Sequence, residues 1–175
     1  MMHIAVQSSP VLVLDSPETE EEARCNFYAF SEESRQAQPS SSYGIPIGTR
    51  LIHSIPRMVQ CYGWLKLSGS LFQKMPAKMR APPIEVDNIH RSIRFDVEYI
   101  AVVYELVEEG VNNPVDVERV ADFLWHAGFS YTLSSLARNW IHGVLVDLSD
   151  IVHFGGFGWK KELYGMRRAN RILIE

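Results

Sequence analysis

Asn139, Asp147 and Asp150 stand close together late in the chain. Amide and carboxylate oxygens are hard ligands, so Asn139 and Asp147 are candidates to hold a divalent cation such as Mg2+. A glycine-rich run follows, with Gly155, Gly156 and Gly158 set among Phe154, Phe157 and Trp159. Glycines let main-chain N–H groups approach an anion, and Lys160 and Lys161 come directly after them. Asp147, Asp150 and the turn 155–158 would suit a small α+β phosphotransferase or another transferase. The run lacks G-x-x-x-x-G-K-[ST], and a packed aromatic turn is the structural alternative. Asp147 would equally cap a turn, and Asn139 would equally be a turn residue.

The remaining reactive side chains carry weaker patterns. His126, His142 and His153 do not form H-x-x-x-H on one helix face, the spacing a zinc enzyme would want. His126 is read as a core or rim residue. Ser134 and Ser135 lack the G-x-S-x-G context of a hydrolase nucleophile. Cys25 and Cys61 have no metal, disulfide or nucleophile spacing and are read as buried thiols in a reducing compartment.

Several elements must position these groups. Apolar stretches within 2–14, split by Gln7–Pro10, predict two strands that could form a hairpin. Ser16 as N-cap with Pro17 at the first helical position predicts a helix running to Gln38, its acidic start matching the helix dipole. A loop follows at 39–42. Residues 55–67 predict a strand with a bulge or close backbone approach at Gly63. Residues 68–94 read as a long exposed connection whose Lys74, Lys78 and Arg80 are either a solvated loop or a basic patch. Tyr99–Glu108 is apolar, rich in Val and Tyr, and bounded by Gly110 and Pro114, which predicts a buried strand. Asn113 as cap, Pro114 at N1 and the stripe Val117, Val120, Ala121, Leu124, Ala127 predict a helix ended by Gly128. A helical turn at 133–137, a tight hairpin about His142 and Gly143, and a C-terminal helix from about Glu162 to Leu173 complete the chain.

The chain has 175 residues, 46% hydrophobic and 22% charged, with net charge −4. That acidic balance argues against a dedicated nucleic-acid or anionic-membrane surface. No apolar run approaches the roughly 18 residues of a bilayer span. The first residues make a poor signal peptide, which points to an intracellular protein, cytoplasmic or nuclear. The fold class is α+β, with a division at 108/109 into a sheet-containing part and a smaller helical part with a hairpin.

Several segments together resemble the protein-kinase family, in particular its divergent fungal members, over about residues 11–153. Phe30, Glu33 and Ala37 are similar to the F-x-x-E-x-x-A pattern of the αC helix. Val102–Val107 resembles the strand and hinge that hold adenine. Asn139–Ile141 and Val144–Ser149 resemble the end of the catalytic loop and the approach to D-F-G. The resemblance implies a small antiparallel sheet backed by a helix, with Glu33 as the ion-pairing glutamate. It implies Tyr104 as gatekeeper, main-chain groups of Glu105 and Val107 against adenine, and Asn139 with Asp147 on the Mg2+ of ATP.

The departures concern the chemistry. Kinases neutralise phosphate charge with a lysine and metal ions and place an aspartate at the accepting hydroxyl. Here the lysine position falls on Val13, and Ser134 and Thr132 replace the aspartate and histidine of H-R-D. Only the 28 residues 148–175 follow Asp147. The expected function is therefore a catalytically inactive binding or scaffold module, with weak nucleotide affinity left open and a protein partner or second copy expected. The alternatives are the transferase above and an α+β interaction domain unrelated to kinases.

Overall fold

A computed structural model describes residues 10–37, 46–86, 88–132 and 137–174. The elements in chain order are β1 (Val11–Leu14), α1 (Glu20–Ala29), α2 (Glu32–Ala37), β2 (Thr49–Ile52), β3 (Cys61–Ser68), α3 (Ser70–Lys74), β4 (Ile84–Val86), β5 (Ile89–Arg91) and β6 (Glu98–Tyr104). They continue with α4 (Pro114–His126), β7 (Phe129–Tyr131), β8 (Trp140–Ile141), β9 (Val144–Leu145), β10 (Ile151–His153) and α5 (Ala169–Ile172). Among the described residues the strands form five antiparallel pairs, so the α+β class expected from the sequence is the class observed.

The chain divides into two compact units, one of residues 1–59 with 107–175 and one of Gln60–Leu106. This differs from a division at 108/109. The second boundary falls close to that point, but 1–59 packs with 107–175, because both segments contribute to one core.

That core is organised around α4. Asn113 caps it, accepting the Val115 N–H at 3.1 Å, and Pro114 occupies the first turn. Val117, Val120, Ala121, Phe123 and Leu124 are buried and meet Val11, Val13, Phe30, Ile52, Tyr131, Trp140, Leu145 and Ile172. β1 pairs with β2, placing Val11 opposite Ile52. Asn26 of α1 fixes the end of β1, accepting the Leu14 N–H at 2.7 Å and donating to the Leu14 carbonyl at 3.1 Å. β7 pairs with β10, and β8 with β9 around a two-residue turn. In that turn His142 and Gly143 have φ of 54° and 76°, the pair of left-handed conformations that matches the strand twist.

The expected first helix begins later and is broken. Thr19, not Ser16, is the N-cap, and Glu22 reaches back to the Thr19 N–H at 2.9 Å, completing a reciprocal capping box. Pro17 is buried ahead of the helix instead of forming its first turn. The helix stops at Phe30, and Ser31 accepts the Ser34 N–H to start α2. The C-terminal helix is shorter than expected, a 3-10 turn at Lys161–Leu163 followed by α5. The first of the two strands expected within 2–14, the loop at 39–42, Ser134 and most of 133–137 lie outside the described residues.

The unit Gln60–Leu106, called the arm for brevity, is built on a long β3–β6 ladder. Its register slips between Cys61 and Gly63, so the bulge expected at Gly63 is present, with Tyr62 as the extra residue. The expected loop 68–94 contains α3, a 3-10 turn at Ala77–Met79 and the β4–β5 hairpin. These elements are three to five residues long, too short to leave a periodic apolar pattern in the sequence.

Candidate interaction surface

Alternation along the β3–β6 ladder sorts the arm's side chains onto two faces. Gly63, Leu65 and Leu67 stand opposite Val103, Ala101 and Tyr99. On this face Tyr99 receives Phe72 of α3 edge-on, with ring centroids 5.4 Å apart. Cys61, Trp64, Lys66 and Ser68 stand opposite Tyr104, Val102, Ile100 and Glu98 on the other face. There Trp64 is 66% exposed, Ile100 71%, Val102 52% and Tyr104 48%. Scattered exposed apolar residues are ordinary, but a contiguous cluster of large ones marks a contact surface. A two-stranded ribbon is marginal in water unless its apolar face packs against something. The expectation that Tyr99–Glu108 is a buried strand is thus corrected: β6 has β3 as its neighbour, and its even-numbered residues face water. The sequence signal for this face was the recurrence of large apolar residues at 100, 102 and 104, which a strand covered on both sides would show equally.

The residues assigned to a nucleotide site fall as follows. Glu33 is exposed on α2, in the first of the two units. The Tyr104 side chain belongs to the exposed face of the arm. The Glu105 N–H donates to the Gln60 carbonyl at 2.9 Å, and its carboxylate accepts the Gln60 N–H at 2.7 Å. Both groups therefore close the base of the ladder. Val107 is half-buried and belongs to the other unit. Among the described residues β6 pairs with β3 alone, and α1 packs on β1 and α4 within its own unit. Val13, at the lysine position implied by the resemblance, is a core residue.

The two residues assigned to a cation do not converge. Asn139 is buried, and its side-chain N–H donates to Asp150 at 2.6 Å. Thr132 donates to the other Asp150 oxygen at 3.1 Å, and the Thr132 N–H donates to the Asp150 carbonyl. This polar knot ties the end of β7 to the segment entering β8. Asp147 is exposed and accepts the Ser149 N–H at 2.9 Å, closing a tight turn. The main-chain carbonyl of Asn139, not its side chain, meets the Asp147 N–H. Among the described residues no group of three or more His, Cys, Asp or Glu side chains is arranged to hold a metal ion.

Other candidates resolve into packing. His126 is buried, with ring nitrogens 2.8 Å from the carbonyls of Asp122 and Asp15. Arg50 clamps the Asp122 carboxylate nearby at 2.9 Å. Phe154 of the glycine-rich run packs edge-on against Phe27 and Tyr28, as an aromatic turn would, while Phe157 is exposed. The Tyr131 phenol is buried beneath the Arg167 guanidinium, and burial raises its pKa above the ordinary tyrosine range. An open depression of about 420 Å3 is lined by Pro114, Glu118, Arg168 and Leu173, with the Glu118 carboxylate engaged by the Ala169 N–H. The cysteines are exposed, not buried: Cys25 lies on the outer side of α1 and Cys61 at the base of the arm. No helix among the described residues is long and apolar enough to cross a membrane.

Comparison with known proteins gives no match to a family model, to a curated protein or to a solved structure.

Proposed function

We propose that this chain is a non-catalytic protein-binding module that makes contact through the exposed face of the 60–106 arm. The observation that carries the proposal is the cluster of Trp64, Ile100, Val102 and Tyr104, solvent-exposed together on one face of the β3–β6 ribbon. Support for the non-catalytic part comes from Val13 in the core and from the commitment of Asn139 to Asp150. Kinase ancestry enters this proposal only through the sequence resemblance. A residual nucleotide site would have to work with Glu105 groups already engaged by Gln60. No arrangement among the described residues favours the transferase reading, since Asp147 closes a turn and Asp150 holds Asn139 and Thr132.

The test pairs two measurements. Immobilised full chain and its Trp64→Glu and Val102→Glu variants are compared for retention of cellular proteins, with circular dichroism confirming the fold. The reading expects retention by the parent chain and its loss in both variants; equal retention by all three would remove the arm from the function. Thermal denaturation with ATP and Mg2+ should leave the midpoint unmoved, whereas metal-dependent phosphoryl transfer would overturn the non-catalytic assignment.

A further inference from the structure

We propose that the partner of the arm face is a second copy of this chain, packed face to face so that two ribbons make a four-stranded sandwich. The inference rests on the binding role just proposed for that face and names its occupant.

The first argument is area. An aromatic side chain buries roughly 150–250 Å2, so Trp64 and Tyr104 exposed by half to two thirds, with Ile100 and Val102, offer about 400–500 Å2. Tyr62, exposed at the bulge beside them, raises this further. Two such faces together bury on the order of 1,000 Å2, the threshold for a specific but reversible interface. No additional element is needed to reach it.

The second argument is complementarity. The face carries one cation and one anion, Lys66 on β3 and Glu98 on β6, at neighbouring cross-strand positions. It is therefore neutral, and a copy brought against it meets no net repulsion. A two-fold axis running along the strands lays β3 of one copy over β6 of the other. Trp64 then faces the smaller Val102, and the Lys66 stem covers Ile100. The Lys66 ammonium lies one cross-strand pair from the Glu98 carboxylate of the partner subunit. Large meets small and positive meets negative twice, once on each side of the axis. An extended peptide added to the ribbon's edge would leave this face uncovered, whereas a second copy supplies a matching apolar area and the opposite charges from the same residues.

Sedimentation equilibrium and light scattering on the full chain decide the matter, run from about 1 to 100 μM, a range that spans micromolar association. The expected result is conversion from the 20.0 kDa monomer to a species of twice that mass. Trp64→Glu should weaken association by at least about 100-fold, since it buries an unpaired charge. Lys66→Glu and Glu98→Lys should each weaken it about tenfold by setting like charges together, and the double swap should restore it. Near-ultraviolet circular dichroism and the thermal midpoint confirm that each variant is folded. A chain that stays monomeric at the highest concentration overturns the inference. So does a dimer indifferent to Trp64→Glu, and a double swap without recovery overturns the axis. If the chain is monomeric yet its retention of another protein depends on Trp64, the self-association fails while the binding role stands. If neither mass nor retention responds to Trp64→Glu, both fail.

Discussion

Asn26 shows how a single side chain sets the geometry of the larger unit. It is almost wholly buried, yet both ends of its amide are bonded to the main chain of Leu14. Replacing it with Ala leaves two partly buried backbone groups of Leu14 without these partners, at about 1–3 kcal/mol each before relaxation. Asn26→Ala should therefore lose about 2–3 kcal/mol in urea unfolding; a loss below about 0.5 kcal/mol would mean that β1 is held by apolar packing alone. Gly128 answers to a different constraint. Its φ is +82°, and an added Cβ would collide with the Ala23 carbonyl of α1. Gly128→Ala combines backbone strain with that clash, so a fall of more than about 2 kcal/mol is expected in the same measurement. Both positions were readable only in part. The left-handed end of α4 follows from local backbone chemistry, and Gly128 could be placed from the sequence. The Leu14–Asn26 bonds join separate elements, and no spacing rule announces them.

At the scale of elements, the helix starts and turns carry the clearest physical signals. The Glu22 carboxylate accepts the N–H groups of Glu18 and Thr19, and these bonds hold its pKa below the usual 4.5. A depressed folded-state pKa means that the capping contribution is intact above pH 4.5 and is lost as the pH falls below it. Glu22→Gln should therefore flatten the acid limb of the thermal midpoint against pH; an unchanged limb would place the acid sensitivity elsewhere. The β8–β9 turn offers a second case. Gly143 has φ +76°, and a Cβ there would press on Asp116 at 3.0 Å. Gly143→Ala should lower stability by about 1–2 kcal/mol, seen as a lower thermal midpoint. The hairpin was legible because its turn depends on two adjacent residues. The start of α1 was misplaced by a few residues because Ser16–Pro17 and Thr19–Glu22 are both valid start signals. Burial of Pro17 selects the second.

At the scale of the whole molecule, among the described residues the buried apolar cluster lies within 11–59 and 107–175, with none of it in the arm. The first unit therefore should not need the arm to fold. Gln60 and Glu105 bond to each other at the arm's base, so their ends lie close enough for a short glycine linker. A chain with 61–104 replaced by such a linker should still unfold cooperatively, with a midpoint within about 5 °C of the parent. Residues 60–106 alone should show no cooperative transition, because a two-stranded ribbon with one uncovered face has too little core. Non-cooperative melting of the shortened chain would show that the arm is structural and not an appended contact surface.

The sequence by itself determined the α+β class, the caps of α4, an irregularity at Gly63 and the hairpin turn at His142 and Gly143. Each of these rests on backbone preferences confined to a few neighbouring residues. The tertiary structure alone decided that 1–59 joins 107–175 and that Asn139 turns to Asp150 instead of Asp147. It also decided that Trp64, Ile100, Val102 and Tyr104 face water. An alternating apolar strand records which side chains share a face, but whether anything covers that face depends on where distant segments pack, and no local pattern encodes that.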